Sequence, residues 1–149
     1  MKLARGWSLL AIAGIAAAIA VAFSIARPGC TLLRGERTLE VSSRSLGAGR
    51  AKFFCYRDDS GRRLRFVLAR GTDGKLRSVM DACKQCYTFH KGFSISGGYL
   101  VCRLCGNRYP INNMLAGKAS CVPVALPSDE SGGTITVRPA DVKMFSWLF

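Results

Sequence analysis

The chain has 149 residues and carries 22 Lys and Arg against nine Asp and Glu, a formal net charge of +13, with 49% of its residues hydrophobic. That length holds one compact domain and is too short for two domains with separate cores. The sequence offers no hydrolytic triad, phosphate loop or flavin motif, which argues against a stand-alone substrate-turning enzyme.

The first feature in chain order is an uncharged stretch over residues 7–26, WSLLAIAGIAAAIAVAFSIA. As a helix rising about 1.5 Å per residue it spans roughly 30 Å, the thickness of a bilayer's hydrocarbon core, whereas a cleavable signal has an apolar region of about 7–15 residues. Residues 1–27 therefore read as a cytoplasmic tip and a single-pass transmembrane anchor. A lipoprotein signal is the rival reading, because Cys30 follows Gly29, but Arg27 and Pro28 stand where an apolar and a small residue belong. Lys2 and Arg5 before the helix are matched by Arg27, Arg34, Arg37 and Arg44 after it, so the positive-inside rule gives no clear orientation. A short tail ahead of a first apolar segment usually stays in the cytoplasm. The reading is a single-pass membrane protein with its domain on the extracytoplasmic side.

Residues 28–49, rich in Ser, Gly and Arg toward their end, read as a linker. Residues 50–149 read as a cysteine-rich metal-binding domain of mainly β class. Segments 52–57 (KFFCYR) and 62–69 (RRLRFVLA) flank the turn residues Asp58, Asp59, Ser60 and Gly61, and Leu64, Phe66 and Leu68 alternate as a half-buried strand does. A second turn at Thr72, Asp73 and Gly74 leads into a strand over 76–81, which delivers the chain to a cysteine pair. Gly97 and Gly98 precede a further strand, 133–138 forms a late one, and a short tail ends in Trp147, Leu148 and Phe149, for which core packing is favoured over the membrane interface.

Two matched pairs, Cys83-x2-Cys86 and Cys102-x2-Cys105, are separated by fifteen residues. Each short pair curls into a knuckle that offers two sulfurs to one centre, and two knuckles close a tetrahedral cage. Such a cage serves zinc, a single iron or an iron–sulfur cluster, so spacing names the ligands and leaves the metal open. Gly106 after Cys105 can take positive φ and turn backbone N–H groups toward the thiolates.

The run VMDACKQCYTFHKGFSISGGYLVCRLCGNRYPINNM, with the upstream FFCYRDDSGRRLRFVLARGTDGKLR and the later Cys121-Val122-Pro123-Val124, resembles the FtrD-like membrane iron–sulfur proteins of bacteria over roughly residues 50–126. The resemblance implies a membrane-attached iron–sulfur centre with Cys83, Cys86, Cys102 and Cys105 as ligands, and Cys121 as a further motif cysteine. It also implies a bacterial source, hence the inner membrane, and electron transfer beside a ferrous-iron uptake system. This chain has Ala119 and Ser120 where a small residue and a second glycine are the pattern, and larger relatives carry several more helices; a single-anchor partner fits better than part of a permease. The order Cys102, Cys105, Gly106, Tyr109 is also similar to a Rieske loop, without its histidines. The fold expected is a small antiparallel β domain, Rieske-like or rubredoxin and zinc-ribbon-like.

Other residues carry paired readings. Cys121 is a fifth thiol that serves as a replacement ligand or a resolving thiol, or a small buried cysteine. His90, the only histidine, is a ligand or proton carrier, or an exposed loop residue. Cys55 reads as core, Cys30 as too close to the bilayer to join the site, Met80 and Met114 as packing rather than copper ligands, and Asp81 as a hydrogen-bond acceptor for the knuckle backbone. Beyond the anchor, 20 basic and nine acidic residues remain, a net +11. The bilayer tether argues against nucleic acid, and the arginines, Arg62, Arg63 and Arg65 among them, read as a solvated face near lipid headgroups or a dock for an acidic protein.

Three functional classes follow. The first is an electron carrier with an iron–sulfur or mononuclear iron centre, burial near Phe89, Phe93 and Tyr109 tuning its potential, and a membrane redox or iron-transport protein as partner. The second is a structural zinc ribbon that fixes a partner-binding surface. The third is a thiol–disulfide exchanger, which lacks the surrounding thioredoxin-like pattern.

Overall fold

The computed structural model describes residues 29–116 and 121–149. Strands β1 (Thr31–Leu33), β2 (Leu39–Ser42), β3 (Arg50–Arg57), β4 (Arg63–Arg70) and β5 (Leu76–Cys83) come first. They are followed by β6 (Phe93–Ser96), β7 (Tyr99–Cys102), β8 (Arg108–Pro110), β9 (Pro123–Ala125), β10 (Asp129–Ser131) and β11 (Thr134–Val137), then a short helix α1 (Pro139–Met144). They form a five-stranded sheet ordered β1-β3-β4-β5-β9 and two three-stranded sheets, β10-β11-β2 and β6-β7-β8. Pairing is antiparallel except for β1, which runs parallel to β3. The mainly β, antiparallel domain read from the sequence is present. The proposed anchor lies outside the described residues, and among those described no helix is long and apolar enough to cross a membrane.

The hairpins form where the turn chemistry placed them. Asp58 Oδ1 accepts the backbone N–H groups of Ser60 and Arg62, at 3.0 and 2.9 Å, and closes the β3–β4 turn. Gly97 and Gly98 both take positive φ, 54° and 79°, between β6 and β7, a turn that suits paired glycines.

The central sheet is buried on both faces, and the two-residue period sorts its side chains between two cores. Phe54, Tyr56, Leu64, Phe66, Leu68, Met80 and Ala82 face one core. Phe53, Val67, Ala69, Val79 and Cys83 face the other, which also holds Cys86, Cys102, Tyr109, Met114 and Cys121. Alternation along β5 thus sends Cys83 to the same side as Val79, and Met80 to the opposite side. Leu148, fully buried, joins the first core, whereas Trp147 is 54% exposed and meets Tyr87 edge-on with ring centroids 4.9 Å apart.

Three readings change. The stretch taken as a linker, 28–49, supplies β1 and β2, and its Leu39, Val41 and Leu46 are buried in the first core. Arg65 is not part of a solvated face: it is buried, with Nε 2.8 Å from Asp81 Oδ2, while Arg62 and Arg63 are exposed. Cys55 is buried as expected but is bonded to Cys30 in a disulfide across β1 and β3, with Cα atoms 5.7 Å apart. That bond uses the Cys30 sulfur, which removes the thiol a lipoprotein signal would need.

Candidate metal centre

Three loops at one end of the central sheet bring five thiols together. Cys83 ends β5, and the 3-10 turn Tyr87–Phe89 follows Cys86. Cys102 ends β7, and the chain reverses through Cys105 and Gly106 into β8. Cys121 precedes β9, which is fastened to β5 by the Cys83–Pro123 pairing and by the Lys84 N–H donated to Val122 O at 3.2 Å. Cys121 Sγ lies 3.1 Å from Cys83 Sγ, 3.8 Å from Cys86 Sγ and 3.2 Å from Cys105 Sγ. The sulfurs of Cys83, Cys86, Cys102 and Cys121 all lie within 4.8 Å of one another.

The knuckle geometry follows from backbone hydrogen bonding. The Cys86 N–H points at Cys83 Sγ, 3.2 Å away. Gly106, at φ 74°, donates its N–H to Cys102 O at 2.9 Å, and the N–H groups of Cys105 and Leu104 reach the Cys102 sulfur. Only glycine adopts that φ without strain, which is the role read from its position after Cys105. The start of the β6–β7 hairpin is tied to both sides: the Arg103 N–H of the second knuckle bonds Gly92 O at 3.0 Å, and Asp81 Oδ1, two residues before Cys83, accepts the Phe93 N–H at 2.7 Å. Asp81 therefore binds backbone at the start of β6, outside the two knuckles where it was expected to act, while pairing with Arg65.

Electrostatics separates the thiols. Burial pushes the Cys86 thiol well above its ordinary pKa, with added contributions from Cys83 and Cys121. Burial also raises Cys102, against the backbone N–H groups that favour its thiolate, and raises Cys121, against the Tyr109 hydroxyl. Burial works the same way on Cys105, but there the Asn107 N–H and the neighbouring thiols prevail and the pKa falls. The Tyr109 hydroxyl, raised chiefly by its own burial, donates to Cys121 O and stands 3.2 Å from Cys121 Sγ.

The donor set fits a thiophilic metal. A tetrahedral centre with metal–sulfur bonds of about 2.3 Å has sulfur–sulfur edges of about 3.8 Å, so the grouped sulfurs reach it with shifts of about 1 Å or less. The same thiolates ligate iron in clusters and in single-iron sites. His90 is exposed at φ 50° and lies outside the grouped donors, and Met80 faces the other core. Cys105, counted with the other three from sequence spacing, is the exposed member of the five, and Cys121 takes its place in the buried group.

Residues 46–149 match the model of a family described as membrane iron-sulfur containing protein FtrD-like. No curated protein sequence matches the chain. Among solved structures, the quaternary ammonium Rieske monooxygenase CntA, crystallised with an inhibitor, aligns with 64% of this chain at 18% identity and a TM-score of 0.44. The alignment spans 29% of that enzyme's length.

Proposed function

The chain belongs to the FtrD-like family of membrane iron–sulfur-containing proteins, and from that premise we propose that it is a membrane-anchored electron carrier whose cysteine pocket holds iron. The observation that carries this reading is the convergence of five thiols, four of them buried, on one point at the end of the central sheet. Thiolate-bound iron supplies one-electron chemistry, and the chain's own part is to set its potential and limit its access to water. The N–H groups directed at Cys83 and Cys102, and the Tyr109 hydroxyl beside Cys121, stabilise negative charge on sulfur. Phe93 and Tyr109 pack edge-on with ring centroids 6.0 Å apart in the core that holds the buried thiols, and exclude solvent from its inner side.

The Cys30–Cys55 disulfide supports an extracytoplasmic domain, since structural disulfides persist in oxidising compartments. In that setting free thiols oxidise, and liganding a metal is what keeps the buried thiols of the pocket reduced. A membrane redox or iron-transport protein is the partner proposed, with an acidic docking surface to match the basic domain. The structural zinc reading stays as the alternative because the sulfur separations suit a single ion.

The test is metal and acid-labile sulfide analysis of the full-length chain, purified in detergent without oxygen from iron-replete cells. Iron supports the carrier reading. Zinc alone, in a colourless protein, would turn the centre into a structural knuckle.

A further inference from the structure

We propose that Cys121 is a direct ligand, so that Cys83, Cys86, Cys102 and Cys121 hold the metal from three loops, and that Cys105 stands outside this set as an exposed thiol. This rests on the reading of the pocket as a metal centre and specifies its donors. Five thiols compete for a four-coordinate site, and three independent features separate them.

The first is mutual distance. The four sulfurs named all lie within 4.8 Å of one another, a group that does not include Cys105, although Cys105 Sγ is 3.2 Å from Cys121 Sγ and also meets the Cys102 and Cys86 thiols. The second is burial. Cys83, Cys86, Cys102 and Cys121 are between 2% and 9% exposed, while Cys105 is exposed beside Leu104, itself 41% exposed. The third is support by surrounding structure. Cys121 is held beside Cys83 by the β5–β9 pairing, and the buried Tyr109 hydroxyl is directed at its sulfur and its carbonyl. A hydroxyl donated to sulfur favours the thiolate form that a metal requires, and such outer partners fix the orientation of a ligand.

The test uses the full-length chain in detergent, reduced, loaded with cobalt(II) without oxygen, freed of excess metal and treated with iodoacetamide before mass mapping. The expected result is alkylation at Cys105 with Cys83, Cys86, Cys102 and Cys121 protected. In parallel, Cys121→Ser weakens cobalt(II) affinity at least about tenfold and alters the thiolate charge-transfer bands, while Cys105→Ser keeps both near the unsubstituted chain, since even outer partners of a ligand are worth about 10–100-fold. Alkylation at Cys121 with protection of Cys105 overturns the assignment and returns the donors to the two knuckles. Alkylation of all five in the loaded sample removes the metal centre itself, and with it the proposed function.

Discussion

Arg65 and Asp81 face each other across β4 and β5 with Nε 2.8 Å from Oδ2, and the same carboxylate accepts the Phe93 N–H at 2.7 Å. Phe93 is in turn paired with Cys102 in the β6–β7 ladder. A buried ion pair in the central sheet is thus connected in two steps to the second knuckle. The sheet that supplies Cys83 and the hairpin that supplies Cys102 are held in register through one side chain.

Asp81→Ala removes the carboxylate partner of a guanidinium whose side chain is 8% exposed. Breaking a buried pair by deleting one member costs roughly 3–5 kcal/mol. The expected outcome is a loss of that size in chemical denaturation, with weaker metal retention because the Phe93 backbone loses its anchor. Asp81→Asn, which keeps an acceptor for that N–H, retains more metal than the alanine variant.

Gly92 adopts φ 64°, and a Cβ there would lie 2.6 Å from Asp81 Oδ1. Gly61 has a similar φ of 82° but open space around it. Gly92→Ala is expected to lower stability by roughly 2–4 kcal/mol, from backbone strain plus overpacking, and Gly61→Ala by about 1 kcal/mol from strain alone. Equal losses in thermal unfolding would show that the Asp81 contact does not matter.

The disulfide closes a loop with a sequence separation of 25 residues and supplies none of the grouped donors, although Cys30 packs against the core that holds them. Replacing Cys30 and Cys55 together by serine should cost about 3 kcal/mol through the unfolded chain's regained freedom. Metal content per folded protein should stay unchanged, as measured by elemental analysis of the purified variant.

Tyr109→Phe deletes the hydroxyl beside Cys121 Sγ while keeping the ring packed on Phe93. A hydrogen bond to sulfur stabilises the more negative, reduced state, so its loss moves the midpoint potential downward by about 20–60 mV, or roughly 0.5–1.4 kcal/mol for one electron. An equilibrium redox titration reads the shift and its sign.

Much of the sheet was legible because its signals are local. Leu64, Phe66 and Leu68 alternate, Gly61 and Gly74 close turns, and two cysteine pairs at matched spacing declare knuckles. What was hidden depends on partners distant in sequence. β1 is three residues long and pairs in parallel with a strand some twenty residues away, so neither it nor the Cys30–Cys55 bond had a periodic signature, and the alternation in β2 is only four residues long. Leu39, Val41 and Leu46 were the available hint, apolar positions in a polar stretch. Arg65 sits among exposed arginines, and only the register of β4 on β5 reveals its burial. Cys121 and Cys105 could not be ranked from spacing, because exposure is set by how the second hairpin and β9 pack against β5.

Electron transfer at this centre is tested by a paramagnetic resonance titration of the full-length chain, isolated without oxygen and poised stepwise with dithionite and oxidant. A one-electron carrier gives a reversible signal, one per iron centre, that disappears in Cys83→Ser. A protein that binds its metal through the same cysteines yet shows no signal and takes up no electron across the titration would contradict that role.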